Sequence, residues 1–160
     1  MADNRLMWRL ILLILAVVMA GPVRSELVPL DFAVPKTLEH SKFRLEPLTQ
    51  IYAEADYEAV MASGSELRQL FGGDWPSPDF TLDANRQDIA THEEQASARK
   101  AFTYTVLAPA GESVEGCVYV IPAEDPGFDV AVFYWTRTDG ALADAELAEV
   151  LSVWFQDVWP

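Results

Sequence analysis

The sequence predicts an α+β sandwich, a predominantly antiparallel mixed sheet with helices on both faces. Three observations carry that prediction. Helical periodicity in the first half of the chain gives way at Phe102 to alternation, in FTYTVL (102–107), VEGCVYVI (114–121) and FDVAVFYWT (128–136). The connectors between these runs, PAGES and AEDPG, are so short that neighbouring strands must be antiparallel. Both faces of the last two strands are apolar, so both need a cover, and a helix with a wide apolar face follows directly.

The first 25 residues stand apart from the domain. Arg5 and Arg9 precede the apolar run LILLILAVVMA (10–20), and Val18 and Ala20 occupy the small-residue positions before a cleavage point, the layout of a secretory signal peptide. The run has eleven residues, against the roughly 20 that cross a bilayer as a helix. Export, to a periplasm or outside the cell, is the expectation; an uncleaved membrane anchor is the alternative. Residues 26–42 hold Pro29 and Pro35 without periodicity and read as an extended linker, so the domain is expected over 43–160.

Within that domain, FRLEPL (43–48) alternates and suits a first strand, with Pro47 at a sheet edge or at the strand's end. EADYEAVMAS is helical, SELRQLF adds a turn or two, and Gly72 and Gly73 stop it. A loop containing Trp75, Pro76 and Pro78 leads to Thr81, a helix cap with Asp83 in the first turn that follows, and the helix runs to about Lys100. Its apolar stripe, Leu82, Ile89 and Ala96, is thin, and Asn85, His92 and Arg99 form a polar stripe beside it. After the three strands the last helix starts near Ala143, where Leu147, Val150, Leu151, Trp154, Phe155 and Val158 build its apolar face.

At 160 residues the chain suits one domain with a real core. Its formal charge of −14 argues against nucleic acid and anionic lipid, both of which are bound through Lys and Arg. Membrane contact is expected only through an uncleaved N-terminal segment. Cys117 is the only cysteine, so no intrachain disulfide forms, and its place in an apolar strand suits a buried thiol. Two distant histidines and one cysteine give no zinc spacing, and neither a P-loop nor a Rossmann fingerprint is present.

The order strand, helices, antiparallel meander, helix, carried by FRLEPL, DYEAVM (56–61), FTYTVL, GCVYVI (116–121) and VAVFYWTR (130–137), resembles the GNAT superfamily of acyl-CoA-dependent N-acetyltransferases. The resemblance implies direct transfer of an acetyl group from acetyl-CoA to an amine, small or on a protein. It also implies a strand whose backbone bonds the pantetheine arm, followed by a turn whose amides hold the pyrophosphate at a helix N-terminus. On this chain those contacts fall to Trp135, Thr136, Arg137, Thr138 and Gly140.

The turn departs from the family pattern. One glycine stands where two are usual, and Asp139, Asp144 and Glu146 crowd the place of a dianionic group. Asp139-Gly140 is also a common turn pair, and acidic residues suit a first helical turn, so these residues serve equally well to join a strand to a helix. The sequence reaches Pro160 directly after the last helix, so the family's final strand and its helix bearing a Tyr general acid are not expected. An exported domain would also lack cytoplasmic acetyl-CoA. Two functions therefore stand side by side: an N-acetyltransferase-like domain, active or inactive, and a noncatalytic exported binding domain on the same scaffold.

A general base for the amine needs a carboxylate or His within reach. Glu115 and Asp129, on the meander strands, are the candidates, and each stands near a strand end where water could solvate it. Trp75 is the candidate to line an acceptor groove, or else it plugs the domain's edge. His92 suits a structural hydrogen bond. A last strand left without a neighbour invites association, so a homodimer is expected as one way to cover it.

Overall fold

The computed structural model describes residues 26–109, 111 and 113–160. The signal-peptide segment, residues 1–25, lies outside them. Among the described residues no helix is long and apolar enough to cross a membrane.

Five strands form one sheet in the order β1 (Leu38–Glu39), β2 (Arg44–Pro47), β3 (Phe102–Leu107), β4 (Val114–Pro122), β5 (Val130–Thr136). Every pairing is antiparallel, so the mixed component expected from the sequence does not occur among the described residues. The reason is topological, since each strand pairs with the next one along the chain, and a parallel pair requires a crossover. Pro47 ends β2 beyond the reach of β1, where no donor is needed on that side. Strand β5 begins at Val130; Phe128, expected to open it, is exposed in the preceding turn.

Between β2 and β3 lie a 3-10 turn (Gln50–Tyr52) and three helices: α1 (Ala53–Ala62), α2 (Gly64–Phe71) and α3 (Leu82–Ser97). The Thr81 hydroxyl caps α3 by accepting from the Ala84 amide at 3.1 Å, as its position predicts. Helix α4 (Asp144–Val158) closes the described chain.

The alternation of β3 and β4 divides two cores. One face carries Tyr104, Val106, Val118 and Val120 against Leu147, Leu151 and Trp154 of α4. The other carries Leu107, Cys117 and Trp135 against Ala59 and Val60 of α1, Leu67 of α2 and Ile89 of α3. Each fully buried Leu or Val contributes roughly 1.5–3 kcal/mol, so a register slip of one residue would exchange the two sets.

Residues 26–42, read above as an extended linker, are extended but lie against the first core. Val28 is buried, with Leu27, Phe32 and Val34 packed beside it. The segment is held by Arg99, whose φ of 56° turns the chain after α3: its carbonyl accepts from the Leu27 amide at 2.6 Å, and its guanidinium donates to the Phe32 carbonyl at 2.9 Å and to that of Pro29.

Candidate functional site

Two concavities open on the α1–α3 side of the sheet, and the residues singled out in the sequence divide between them. The first lies where β5 runs out into α4. It has a volume of about 410 Å³ and is bounded by Ser63, Glu66 and Leu67 on one side and by Trp135–Thr138, Gly140 and Asp144 on the other.

At this turn most of the donors are already engaged. The Thr136 amide and hydroxyl both donate to Asp144 Oδ1, at 3.1 and 2.7 Å, which folds the first residue of α4 back onto the end of β5. The Thr138 amide donates to Ser63 Oγ at 3.1 Å, and the Gly140 amide donates to the Arg137 carbonyl at 3.0 Å. Arg137 grips Asp139 through two bonds, from Nε and from Nη2, the latter at 3.2 Å. That contact holds the Asp139 carboxyl below its usual range and raises the guanidinium further.

Some donors remain at the helix end. No side chain caps α4, and its first internal bonds run from the Glu146 and Leu147 amides to the Ala143 carbonyl. The amides of Asp144 and Ala145 therefore face outward at the positive end of the helix dipole. These backbone donors fit a pyrophosphate. Among the side chains Arg137 fits one once it leaves Asp139, and the nearby carboxylates of Glu66 and Asp144 oppose it.

The structure brings Glu115 to this turn. Its carbonyl accepts from the Arg137 amide at 2.6 Å, and its carboxylate lies so close to Gly140 that a Cβ there would stand 2.5 Å from Oε2. Asp129 goes elsewhere. It precedes the opposite end of β5, about 20 Å away at roughly 3.3 Å per residue, so the two candidate bases are not brought together.

The second concavity, of about 290 Å³, lies between α1, α3 and the sheet, and Trp75 forms part of its wall. Phe71 stands edge-on to both Trp75 and Tyr119, with ring centroids 5.7 and 5.9 Å apart, and His92 lies against Tyr119 at 5.7 Å. Its polar lining comes from Asp56, Asn85, Asp88 and His92. His92 Nδ1 pairs with Thr103 Oγ1 at 3.0 Å, the structural bond expected of it, and burial lowers its basicity.

Asp56 was missed by the sequence reading. It is 4 % exposed, and Asn85 Nδ2 donates to its Oδ2 at 2.9 Å while the Cys117 thiol donates to its Oδ1 at 3.5 Å. Burial pushes its carboxyl up, against the pull of these two bonds. A signal existed: Ala53, Asp56 and Val60 fall at i, i+3 and i+7 on the buried face of α1, so a carboxylate sits within an apolar stripe. Trp135 connects the concavities. It is buried beside the turn and donates its indole N–H to the Tyr119 hydroxyl at 3.2 Å.

No protein-family model matches the chain, and no curated protein matches it in sequence. Solved structures do. The chain is similar to RimL, a ribosomal L7/L12 alpha-N-protein acetyltransferase (14% identity, TM-score 0.56, covering 74% of this chain and 64% of that one). It is similar to the microcin C7 self-immunity acetyltransferase MccE, solved with acetyl-CoA and AMP (14% identity, TM-score 0.59, 73% and 62%). It is also similar to a ribosomal-protein-S5-alanine acetyltransferase from Vibrio fischeri (16% identity, TM-score 0.56, 74% and 66%). The chain thus spans just under two thirds of the length of each. With the strand order, the helices on both faces and the strand-to-helix turn in place, this chain has the fold of the GNAT acetyltransferases.

Proposed function

We propose that the domain is an acyl-CoA-dependent N-acyltransferase-like domain that acts on an amine. One observation carries the reading: the edge strand β5 ends in a turn holding Arg137, and the turn delivers the uncapped N-terminus of α4. Acetyl-CoA, when bound, supplies an activated acyl group. Arg137, released from Asp139, and the amides of Asp144 and Ala145 would hold its pyrophosphate, with Trp135, Thr136, Thr138 and Gly140 shaping the turn. The backbone of β5 offers hydrogen bonds along the edge that no strand among the described residues pairs with. The amine must shed a proton before it attacks; Glu115 would stand at the pyrophosphate end of the coenzyme, a pantetheine arm away from the acyl carbon, so its position does not favour it as the base.

A second reading, a noncatalytic binding domain on the same scaffold, is favoured by the charges at the turn. Arg137 is neutralised by Asp139, and Glu66 and Asp144 flank the same concavity. Calorimetric titration of acetyl-CoA into the full chain decides between them. Micromolar binding that weakens at least tenfold in Arg137→Ala supports the first reading, since a charge-assisted hydrogen bond contributes about 1.5–3 kcal/mol. Absence of binding at millimolar coenzyme supports the second.

A further inference from the structure

The cavity floored by Asp56 has a composition that the coenzyme turn does not explain. Its walls are Phe71, Trp75, Tyr119, Val60 and Ile89, and its ionisable lining is Asp56, Asp88 and His92, with no Lys or Arg among the residues that line it. A buried carboxylate is ordinarily paired with a cation. Asp56 is buried and forms no ion pair among the described residues; its partners, Asn85 and Cys117, are neutral donors that fix its orientation. Asp88, exposed at the rim, adds a second negative charge near the first.

We propose that this cavity binds a small organic ammonium ion, with the charged head between Asp56 and Asp88 and the apolar body against Trp75, Phe71 and Tyr119. The size agrees: about 290 Å³ holds roughly ten water volumes of about 30 Å³, the space of a monoamine with a ring or a short alkyl chain. The rings suit a cation as well, because an aromatic face attracts an ammonium held within about 6 Å of its centre. Among the described residues no three His, Cys, Asp or Glu side chains converge as metal ligands, and the aromatic walls suit an organic cation. Binding here is independent of the coenzyme. That the bound ammonium is the acceptor amine rests on the reading given above, and is supported by Trp135, which lines the turn concavity and bonds to Tyr119 on the floor of this one.

The test is calorimetric titration of the full chain, without acetyl-CoA, using 2-phenylethylammonium, butylammonium and the neutral analogue 2-phenylethanol. The aryl ammonium is expected to bind at least tenfold more tightly than the alcohol. Asp88→Asn should weaken the ammonium severalfold and leave the alcohol unchanged, and Asp56→Asn should bring the two affinities together. Trp75→Ala should weaken both aromatic probes. Equal affinity for ammonium and alcohol would overturn the proposal, as would no heat from either ammonium at millimolar concentration. Asp88 is a surface residue, so its variant keeps the test readable if Asp56→Asn does not fold. Because acetyl-CoA is left out, a failure here leaves the coenzyme reading standing, and a failed coenzyme titration leaves this one standing.

Discussion

Gly116 controls where the turn between β5 and α4 begins, and replacing it with alanine tests the register that places the turn. Gly116 pairs with Thr136 across β4 and β5, and its φ is +155°. A Cβ built there would stand 2.0 Å from the Trp135 carbonyl oxygen and 3.0 Å from Thr136 Cα. An ordinary carbon–oxygen contact is about 3.3 Å or longer, so the strands must part by more than about 1 Å. Every atom in the way is backbone, and no rotamer relieves it. The adjacent bond from the Arg137 amide to the Glu115 carbonyl, 2.6 Å long, would open with them.

The cost combines about 1–2 kcal/mol for one or two lost ladder bonds with about 1–3 kcal/mol of backbone strain, or about 2–5 kcal/mol in all. With a urea slope of about 2 kcal/mol per molar, the unfolding midpoint followed by tryptophan fluorescence should fall by about 1–2.5 M. Gly140→Ala is the matched control. Its Cβ meets the Glu115 carboxylate at 2.5 Å, the mobile end of a side chain, and the Arg137 carbonyl oxygen only at 3.1 Å, so a loss of about 1 kcal/mol is expected. A Gly116→Ala loss as small as that of Gly140→Ala would refute the Gly116–Thr136 register, and with it the position assigned to the turn.

Two further substitutions separate charge from packing. Asp139→Asn frees Arg137 and removes a negative charge from the turn, so acetyl-CoA should bind more tightly than to the unmodified chain, as read by calorimetry; weaker binding would show that Asp139 positions Arg137 instead of blocking it. Asp56→Asn tests linkage: burial raises the folded-state pKa of Asp56, so the stability tied to its protonated form is complete below the unfolded value and is lost as pH rises through the folded one. The variant should therefore gain on the unmodified chain as pH rises above the ordinary aspartate value, measured as the difference in urea midpoints.

Local patterns announced the elements and missed the contacts that join distant ones. Alternation in FTYTVL and VEGCVYVI located β3 and β4 because each strand faces a core on both sides, and the stripe of α4 located Leu147, Leu151 and Trp154, all buried. Residues 26–42 carried no such period because what holds them is Arg99, about 70 residues away in the chain, bonding their backbone. The turn at Arg137 was legible as a candidate because its residues are contiguous. The pairing of Arg137 with Asp139 depends on the loop's shape, which composition does not encode. The Asp56 cavity was the least legible, since it needs α1, α3 and β4 to meet, and Asp56, Asn85 and Cys117 each look ordinary in their own segment.

Trp135 joins the walls of the two concavities, and Trp135→Phe tests whether that contact couples them. The indole N–H donates to the Tyr119 hydroxyl at 3.2 Å, and Tyr119 and Cys117 lie within hydrogen-bonding influence of one another, with the thiol turned to Asp56. Phenylalanine keeps an aromatic body beside the turn but removes this donor and part of the buried volume, which should cost about 2–3 kcal/mol of stability. Lost stability alone would not change binding to the molecules that remain folded. If Tyr119 is held in place from the turn side, the affinity for 2-phenylethylammonium should fall in Trp135→Phe although residue 135 does not line that cavity. Measurement well below the melting transition, where the folded fraction is near one, separates the two effects. A variant that melts lower and binds the ammonium as before would mean that the cavities share a wall and no coupling.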